Sequence, residues 1–502
     1  MLSDYVLSKK TALAGLQCHK RLWWEINDNA AAELRESPAV QYRLREGTQV
    51  GALAREYVPG GLLIAGGNRS IAARLAETRA AMAMPNLRVI YEAAFLAGAT
   101  LVFTDILERN GDGWNLIEVK ASTSVSAAEH VPDIAIQAAV MRAAGVDVTR
   151  YEIMRLNREC EYPDLSNLFV REDVTADVRE LLDGIDGALA DLVRVAGESQ
   201  VPDAATGDHC SKPRACPFTD RCWPELPRHH VSTLYRIGKK ADTLVSQGYQ
   251  TIDQLPDDVK LSAIGARQRR AVRQGDVVVE RDALIRALSS LARPVAHLDF
   301  ETVQPAIPRW TGCRPYDQIP VQLSCHVVDP DGRVRHHEWL FDGEGDPRPE
   351  AARAILAACR GARTVTAYFS TFERDCIRRV AVACPDDATE LFAIAESLVD
   401  LLPIVRENVY HPEFHGSFSL KKVLPALVPE LSYSGLAIAE GETAQLQLSR
   451  MIFERGAMSE EERRELRGAL LEYCKLDTQA MVALEERLMR LAVIPSEARD
   501  LP

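Results

Sequence analysis

His297-Leu298-Asp299-Phe300-Glu301-Thr302 reads as an apolar strand carrying two acids at i and i+2. Side chains two apart on a strand share a face, so both carboxylates point the same way. A lone D-x-E pair is most often a solvated surface pair, and its companions carry the reading. Residues 364–381 (TVTAYFSTFERDCIRRVA) form a strand running into a helix with Glu373 at the turn. Residues 470–492 (LLEYCKLDTQAMVALEERLMRLA) form an amphipathic helix. On it Tyr473 and Asp477, four apart, share a face. Asp299, Glu301, Glu373 and Asp477 are thus placed to converge, with Asp375 the alternative to Glu373. Such a cluster holds two Mg²⁺ or Mn²⁺ ions that clamp the attacking and leaving oxygens of a phosphodiester, while Tyr473 orients the water. Asp400, in LVDLLPIVRE, is a helix-start residue.

A second acidic set lies upstream. Residues 88–96 (RVIYEAAFL), 101–109 (LVFTDILER) and 115–122 (NLIEVKAS) are strand candidates, and Asn110-Gly111-Asp112-Gly113 is a hairpin turn between the last two. Asp105 falls near the end of one strand and Glu118-Val119-Lys120 near the end of the next. Glu118 and Lys120 share a face, the hairpin brings Asp105 beside them, and Glu92 adds a third carboxylate. Two carboxylates hold a divalent ion, and a lysine beside them orients a water or stabilises developing phosphorane charge. Gln137 follows on a helix predicted from Ile134 to Ala144, ending at Gly145. An isolated E-x-K is usually an exposed pair, but here apolar residues precede it and small ones follow.

Asp105, Glu118, Lys120 and Gln137 resemble the site of the PD-(D/E)xK nucleases of the RecB type, including the CRISPR-adaptation exonucleases. Where that family carries a histidine on an early helix, this chain has Gly51; where a tyrosine often follows the glutamine by four, it has Met141. The D-x-E, turn acid and Y-x-x-x-D order resembles the DnaQ-like exonucleases with an RNase H-type fold, in the branch with a tyrosine. Glu373 stands where that family has aspartate. The segment Phe418-Ser419-Leu420-Lys421-Lys422-Val423-Leu424 resembles the stretch with which such enzymes begin a helix.

Cys210, Cys216 and Cys222 are spaced x5 and x5 in HCSKPRACPFTDRCW. Three thiols so close point to a metal, and Cys18 in LQCHKRLWW is the natural fourth ligand, clasping the two ends of the domain. Four thiolates fit tetrahedral zinc or a 4Fe–4S cluster, and spacing does not decide between them. Iron–sulfur members of the RecB-type nucleases carry one cysteine before the core and three after it, so the resemblance implies the cluster. Lys20 and Arg21 are beside Cys18.

The chain has 502 residues, 47% apolar and 26% charged, with 72 acidic against 59 basic residues and a net charge of −13. Bulk disorder is excluded, as is a small basic coat protein for nucleic acid. The N-terminus lacks the apolar core of a signal peptide, and no run is long enough to span a membrane. The expectation is a cytoplasmic protein without a membrane partner, whose eleven cysteines are reduced or metal-bound. Between Leu226 and Arg273 nine Lys or Arg face four Asp. The first half of that stretch is expected to be a helix, a glycine turn and a helix. Arg236, Lys239, Lys240, Arg267, Arg269 and Arg270 are the candidate nucleic-acid contacts, although most such runs are solvated faces.

The resulting expectation is an α/β chain. It comprises a restriction-endonuclease-like PD-(D/E)xK domain over 1–225 with the cysteine cluster, a basic helical linker over 226–292, an RNase H-like exonuclease domain over 293–492, and a tail over 493–502. This order resembles a bacterial family of uncharacterised function. The resemblance implies a metal-dependent nuclease, exonucleolytic, acting on DNA rather than RNA in repair or defence. The alternative is an iron–sulfur- or zinc-stabilised scaffold that binds nucleic acid with one or both centres inactive.

Overall fold

A computed structural model describes residues 6–64, 66–67, 69–341 and 343–493. The expected tail over 493–502 lies outside them, apart from Val493, which ends the last helix. The chain is a mixed α/β protein of two units. Unit 1 comprises residues up to Pro224 together with Pro305–Asp317; unit 2 comprises Glu225–Gln304 and the chain from Gln318 onward. The division differs from the expected one in two ways. Residues 226–292 do not stand apart as a linker, because Ala271, Val277, Leu284 and Leu288 are buried in one core with Tyr410, Leu424 and Leu484. Residues 305–317 belong with unit 1, where Tyr316 donates to the Ala121 carbonyl at 2.6 Å.

In unit 1, β1 (Leu7–Ser8) leads directly into α1 (Lys9–Gln17), and α2 (His19–Asn27) follows. The spacing of Leu13, Leu16 and Trp23 predicts one helix over 11–26. The chain instead breaks at Cys18, whose extended backbone (φ −162°, ψ 121°) ends one helix and begins the next. Then come α3 (Pro38–Tyr57), β2 (Gly61–Leu63), α4 (Ile71–Met82), β3 (Val89–Ala97), β4 (Thr100–Asn110), β5 (Gly113–Lys120), α5 (Ala127–Ala143), β6 (Val148–Leu156), β7 (Phe169–Asp173), α6 (Thr175–Ala196) and the short α7 (Thr219–Cys222). The sheet order is β2-β3-β4-β5-β6-β7, with β1 parallel on β4. Helix α5 is apolar nearly all round, and Ile134, Ala135, Ile136, Ala138, Ala139 and Val140 are buried in the unit's main core.

The β4–β5 hairpin is paired from Asn110↔Gly113 to Ile106↔Ile117. Beyond that pair the ladder stops. On the β4 edge that β5 leaves unpaired, β1 takes over at Thr100 and Leu101. The sheet therefore splits between β4 and β5, and the site of unit 1 sits at the fork.

Unit 2 holds α8 (Lys240–Ser246), α9 (Ala263–Gln274), β8 (Val278–Val279), α10 (Arg281–Leu288), β9 (Val295–Val303), β10 (Ile319–Val328), β11 (Val334–Leu340), α11 (Arg348–Cys359), β12 (Thr364–Ala367), α12 (Thr371–Ala383), α13 (Ala388–Ser397), β13 (Val399–Asp400), α14 (Leu401–Asn408), β14 (Val409–Tyr410), α15 (Leu420–Leu427), α16 (Gly441–Phe453) and α17 (Glu460–Val493). Its sheet runs β11-β10-β9-β12-β13. Strands β9, β10 and β11 are an antiparallel meander, while β12 is parallel to β9 and β13 to β12. A small β8–β14 ribbon stands apart from it. The helix expected before the glycine turn near Leu234 is replaced by a single 3-10 turn, Val231–Thr233. No described helix is long and apolar enough to cross a membrane.

Candidate active site and metal centres

Strand β9 is the central strand of the unit 2 sheet; β10 pairs with it through Asp299 and Glu301, while its ladder to β12 ends at His297. Asp299 and Glu301 project from it on one face, and α17 brings Asp477 to them. One carboxylate oxygen from each of the three lies within 4.8 Å of the others. Among the described residues these form the acidic, histidine or cysteine group drawn together tightly enough for one ion. The triad opens into a cavity of about 590 Å³ also lined by Tyr473, Lys421, Tyr368, Phe369, Tyr235 and Arg236.

Burial raises the Asp299 carboxyl well above the usual range, with Asp477, Glu373 and Glu301 adding repulsion. Burial, then Asp477, pushes Glu301 up to about 8. Burial takes Asp477 to about 6, opposed by a hydrogen bond from Tyr433 and by Lys421. Carboxyls packed so that they resist ionisation together are relieved by protons or by a cation, and the donor set is the hard oxygen type that Mg²⁺ and Mn²⁺ prefer.

Glu373 lies on the first turn of α12, buried, with Oε2 unpartnered, and burial pushes its carboxyl up to about 8. It contributes to the field on Asp299 and Glu301 but is outside the 4.8 Å triad. Asp375 does not replace it, since it is exposed and 3.7 Å from Arg378. Asp400 caps α14 through the Leu402 N–H and also accepts the Phe369 N–H, both at 2.9 Å. Three residues of this site gave little sequence signal. The Tyr433 hydroxyl donates to Asp477 at 2.6 Å from a loop with no motif. The Lys421 ammonium sits 5.3 Å from the Tyr473 ring centre and 5.5 Å from that of Tyr433. The Cys474 thiol approaches Asp299 at 3.7 Å.

At the unit 1 fork, the register Tyr91↔Ile106 and Ile106↔Ile117 sets Glu92 (β3), Asp105 (β4) and Glu118 (β5) in a row. Glu92 sits at φ +57°, which breaks the β3–β4 ladder at that point. Asp105 lies inside its strand, where its Oδ2 accepts the Val119 N–H at 2.7 Å just past the last ladder pair. Glu118 is buried; its Oε1 accepts Lys120 at 2.8 Å and Lys9 at 2.7 Å, and its Oε2 accepts the Gln137 amide at 2.7 Å. Asp133, one turn before Gln137 on α5, binds Lys120 at 2.5 Å, Lys9 at 3.0 Å and the Gln137 amide at 3.0 Å. Burial would raise Glu118, but Lys120 and Lys9 outweigh it and hold the carboxyl well below its usual range. Asp105 goes the other way, pushed up to about 7 by burial and Glu118. Burial also raises Glu92. Lys9 and Asp133 were not anticipated; the i, i+4 spacing of Asp133 and Gln137 was the available signal.

Cys18, Cys210, Cys216 and Cys222 line one small pocket with Lys20, Trp24, His209 and Phe218. Gln17, the residue before Cys18, donates to the carbonyls of His209 and Arg214, both at 2.6 Å. Arg221 pairs with Asp28 and Glu33 and stacks on Phe218 and Trp24. Burial pushes the thiols of Cys216 and Cys222 up, and neighbouring sulfurs add to it. A bound metal would have to displace their protons. Arg21 is held by Glu25 and Gln17, so it does not offer a free guanidinium.

The basic stretch changes most. Arg267 is buried, bound to Glu280 and the Arg406 carbonyl. Arg270 pairs with Glu280, and Arg269 donates to the carbonyls of Pro256 and Asp257. Arg267 and Arg269 are thus largely taken up inside unit 2, while Arg270 stays exposed beside Glu280. Arg236, Lys239 and Lys240 are exposed; Arg236 lines the acidic cavity, while Lys240 donates to the Lys260 carbonyl.

Residues 296–419 match a family model described as a domain of unknown function (DUF2779). The match begins just before Asp299 and Glu301 and takes in Glu373 and Asp400, but stops before Lys421, Tyr433, Tyr473 and Asp477. No curated protein matches the chain.

Proposed function

We propose that this protein is a metal-dependent nuclease that hydrolyses phosphodiester bonds of nucleic acid, with DNA favoured and exonucleolytic action expected. The observation that carries the reading is the gathering of Asp299, Glu301 and Asp477 within 4.8 Å at the wall of an open cavity beside Tyr473. In this reading unit 2 is a DnaQ-like domain of RNase H type, supported by the mixed β11-β10-β9-β12-β13 sheet with the acids on its central strand. Unit 1 is a PD-(D/E)xK domain of RecB type, supported by the row Glu92, Asp105, Glu118 with Lys120 and Gln137 at the β4–β5 fork.

Divalent Mg or Mn, held by Asp299, Glu301 and Asp477, would supply Lewis acidity and charge neutralisation at the phosphate. The chain's own groups do the rest. Tyr473 holds the water by hydrogen bond; its hydroxyl stays protonated, because burial and the acids raise it far above neutrality. Tyr433 fixes the orientation of Asp477. Lys421 and Arg236, on the cavity wall, face phosphate oxygens. The four thiols of unit 1 suit a 4Fe–4S cluster, with zinc the alternative. They line one pocket, and the cluster is preferred on the resemblance to the RecB-type nucleases alone.

A second reading, a cluster-stabilised scaffold that grips nucleic acid without cutting it, is favoured by one observation: Glu373 stands outside the triad. End-labelled single- and double-stranded DNA and RNA, incubated with Mn²⁺ or Mg²⁺, separate the two. The nuclease reading expects metal-dependent shortening that is lost when Lys120→Ala and Asp299→Ala are combined. Equal cutting by that double variant refutes the site assignment. Retention of strands without cutting under either metal establishes the scaffold.

A further inference from the structure

At the fork of unit 1, one lysine was expected and two are present. The Lys9 ammonium lies 2.7 Å from Glu118 and 3.0 Å from Asp133, and Lys120 contacts the same two carboxylates at 2.8 and 2.5 Å. Both share Oε1 of Glu118. An ammonium has three N–H donors, so the two carboxylates leave one donor on each lysine.

The placement of Lys9 is costly. It is the first residue of α1, and Lys10 follows it, with no acid in that first turn. Cations at the positive end of a helix are disfavoured. Burial further opposes its charge, although Glu118, Asp133 and Asp105 outweigh that. A local rule broken with a fixed partner set is the signature of a functional position. The backbone at Lys9 is held on both sides. β1 is laddered to β4 just before it, and Ser8 caps α1 by accepting the Thr11 N–H at 3.2 Å. The ammonium is therefore presented without loop freedom, as positioned charge requires.

We propose that Lys9 is a second phosphate-contacting lysine of the unit 1 centre, donating its remaining N–H to a non-bridging oxygen opposite the one served by Lys120. The inference rests on the nuclease reading above. Developing phosphorane charge would then be met by two ammoniums positioned by Glu118 and Asp133, and α5 would serve as the element that aligns both.

The test uses the full-length chain carrying Asp299→Asn and Asp477→Asn, so that cutting reports unit 1 alone. Lys9→Met, Lys9→Arg and Lys120→Met are added singly. Measured are single-turnover cutting of end-labelled DNA, KM for DNA, Mn²⁺ affinity by electron paramagnetic resonance, and thermal unfolding. Lys9→Met should lower kcat by about 10²-fold, the scale of a lost charge-stabilising donor. KM should change little, Mn²⁺ binding should be retained, and Lys9→Arg should recover about half of the loss in logarithmic terms, about tenfold. Two results overturn the inference while leaving the nuclease reading intact: an active parent that Lys9→Met slows less than twofold, or a Lys9→Met variant that loses Mn²⁺ binding together with activity. A parent that cuts nothing overturns the nuclease reading for this centre and the inference with it.

Discussion

Replacing Asp299 by asparagine should stabilise the metal-free protein and remove its stabilisation by metal. Three carboxylates within 4.8 Å repel one another. At that separation and an effective dielectric constant near 20, each ionised pair costs roughly 3 kcal/mol. The protein limits this by holding protons: Glu301 is pushed up to about 8, Asp477 to about 6, and Asp299 well above its usual range. Folded-state values above unfolded ones mean that their contribution to stability is greatest at low pH and is lost as pH rises through the folded values. Metal-free wild type should therefore weaken from about pH 4, where the unfolded carboxyls ionise, to about pH 8. Asp299→Asn deletes two of the three repelling pairs. The gain should be about 2–4 kcal/mol at pH 8, and under about 1 kcal/mol at pH 4, where the unfolded carboxyls hold their protons too. For a unit of this size that is roughly 5–10 °C in unfolding temperature. Scanning calorimetry in EDTA and in Mn²⁺ at both pH values measures it. The reasoning is refuted if Asp299→Asn destabilises the EDTA form equally at both pH values, or if Mn²⁺ stabilises the variant as much as the wild type.

Other expectations follow from single contacts. Cys18→Ser and Cys210→Ser should each abolish the visible absorption of an iron–sulfur cluster in anaerobically purified protein and lower the unfolding temperature of unit 1, because both line the same pocket; stoichiometric zinc in colourless wild type would assign zinc instead. Tyr473→Phe, in a Lys120→Met background that silences unit 1, should reduce cutting by about 10²-fold or more with Mn²⁺ binding retained, measured by end-label release and by calorimetric titration. Gly416→Ala should cost more than about 2 kcal/mol in urea unfolding, since Gly416 sits at φ +78° and a Cβ there would meet the Thr233 carbonyl oxygen at 2.1 Å.

Strands and hairpins with strong alternation could be read from the sequence, and so could the acids they carry. β9 with Asp299 and Glu301, and the β4–β5 hairpin with Asp105 and Glu118, emerge as strands, although Asp105 lies at the middle of β4 and not near its end. What escaped depends on tertiary placement. Lys9 reaches its site only because β1 pairs with the edge of β4 that β5 vacates, a long-range event with no local mark. Asp133 was hidden because the predicted helix begins at Ile134, whereas α5 begins at Ala127 and carries Asp133 inside it. Tyr433 arrives from a loop whose position no periodicity encodes. The basic stretch divides for a related reason. Charge counts do not distinguish a guanidinium facing solvent from one, like Arg267, spent on a neighbouring carbonyl and glutamate. The break at Cys18 was likewise silent, since its flanks read as one continuous helix.

The account stands on acids from separate stretches of chain holding a divalent ion. Crystals soaked in Mn²⁺ and measured at the manganese absorption edge test this directly. An anomalous peak bounded by carboxylate oxygens of Asp299, Glu301 and Asp477, absent from the Asp299→Asn variant, is the expected result. An ordered, metal-soaked site in which those three carboxylates surround no anomalous density would contradict the account.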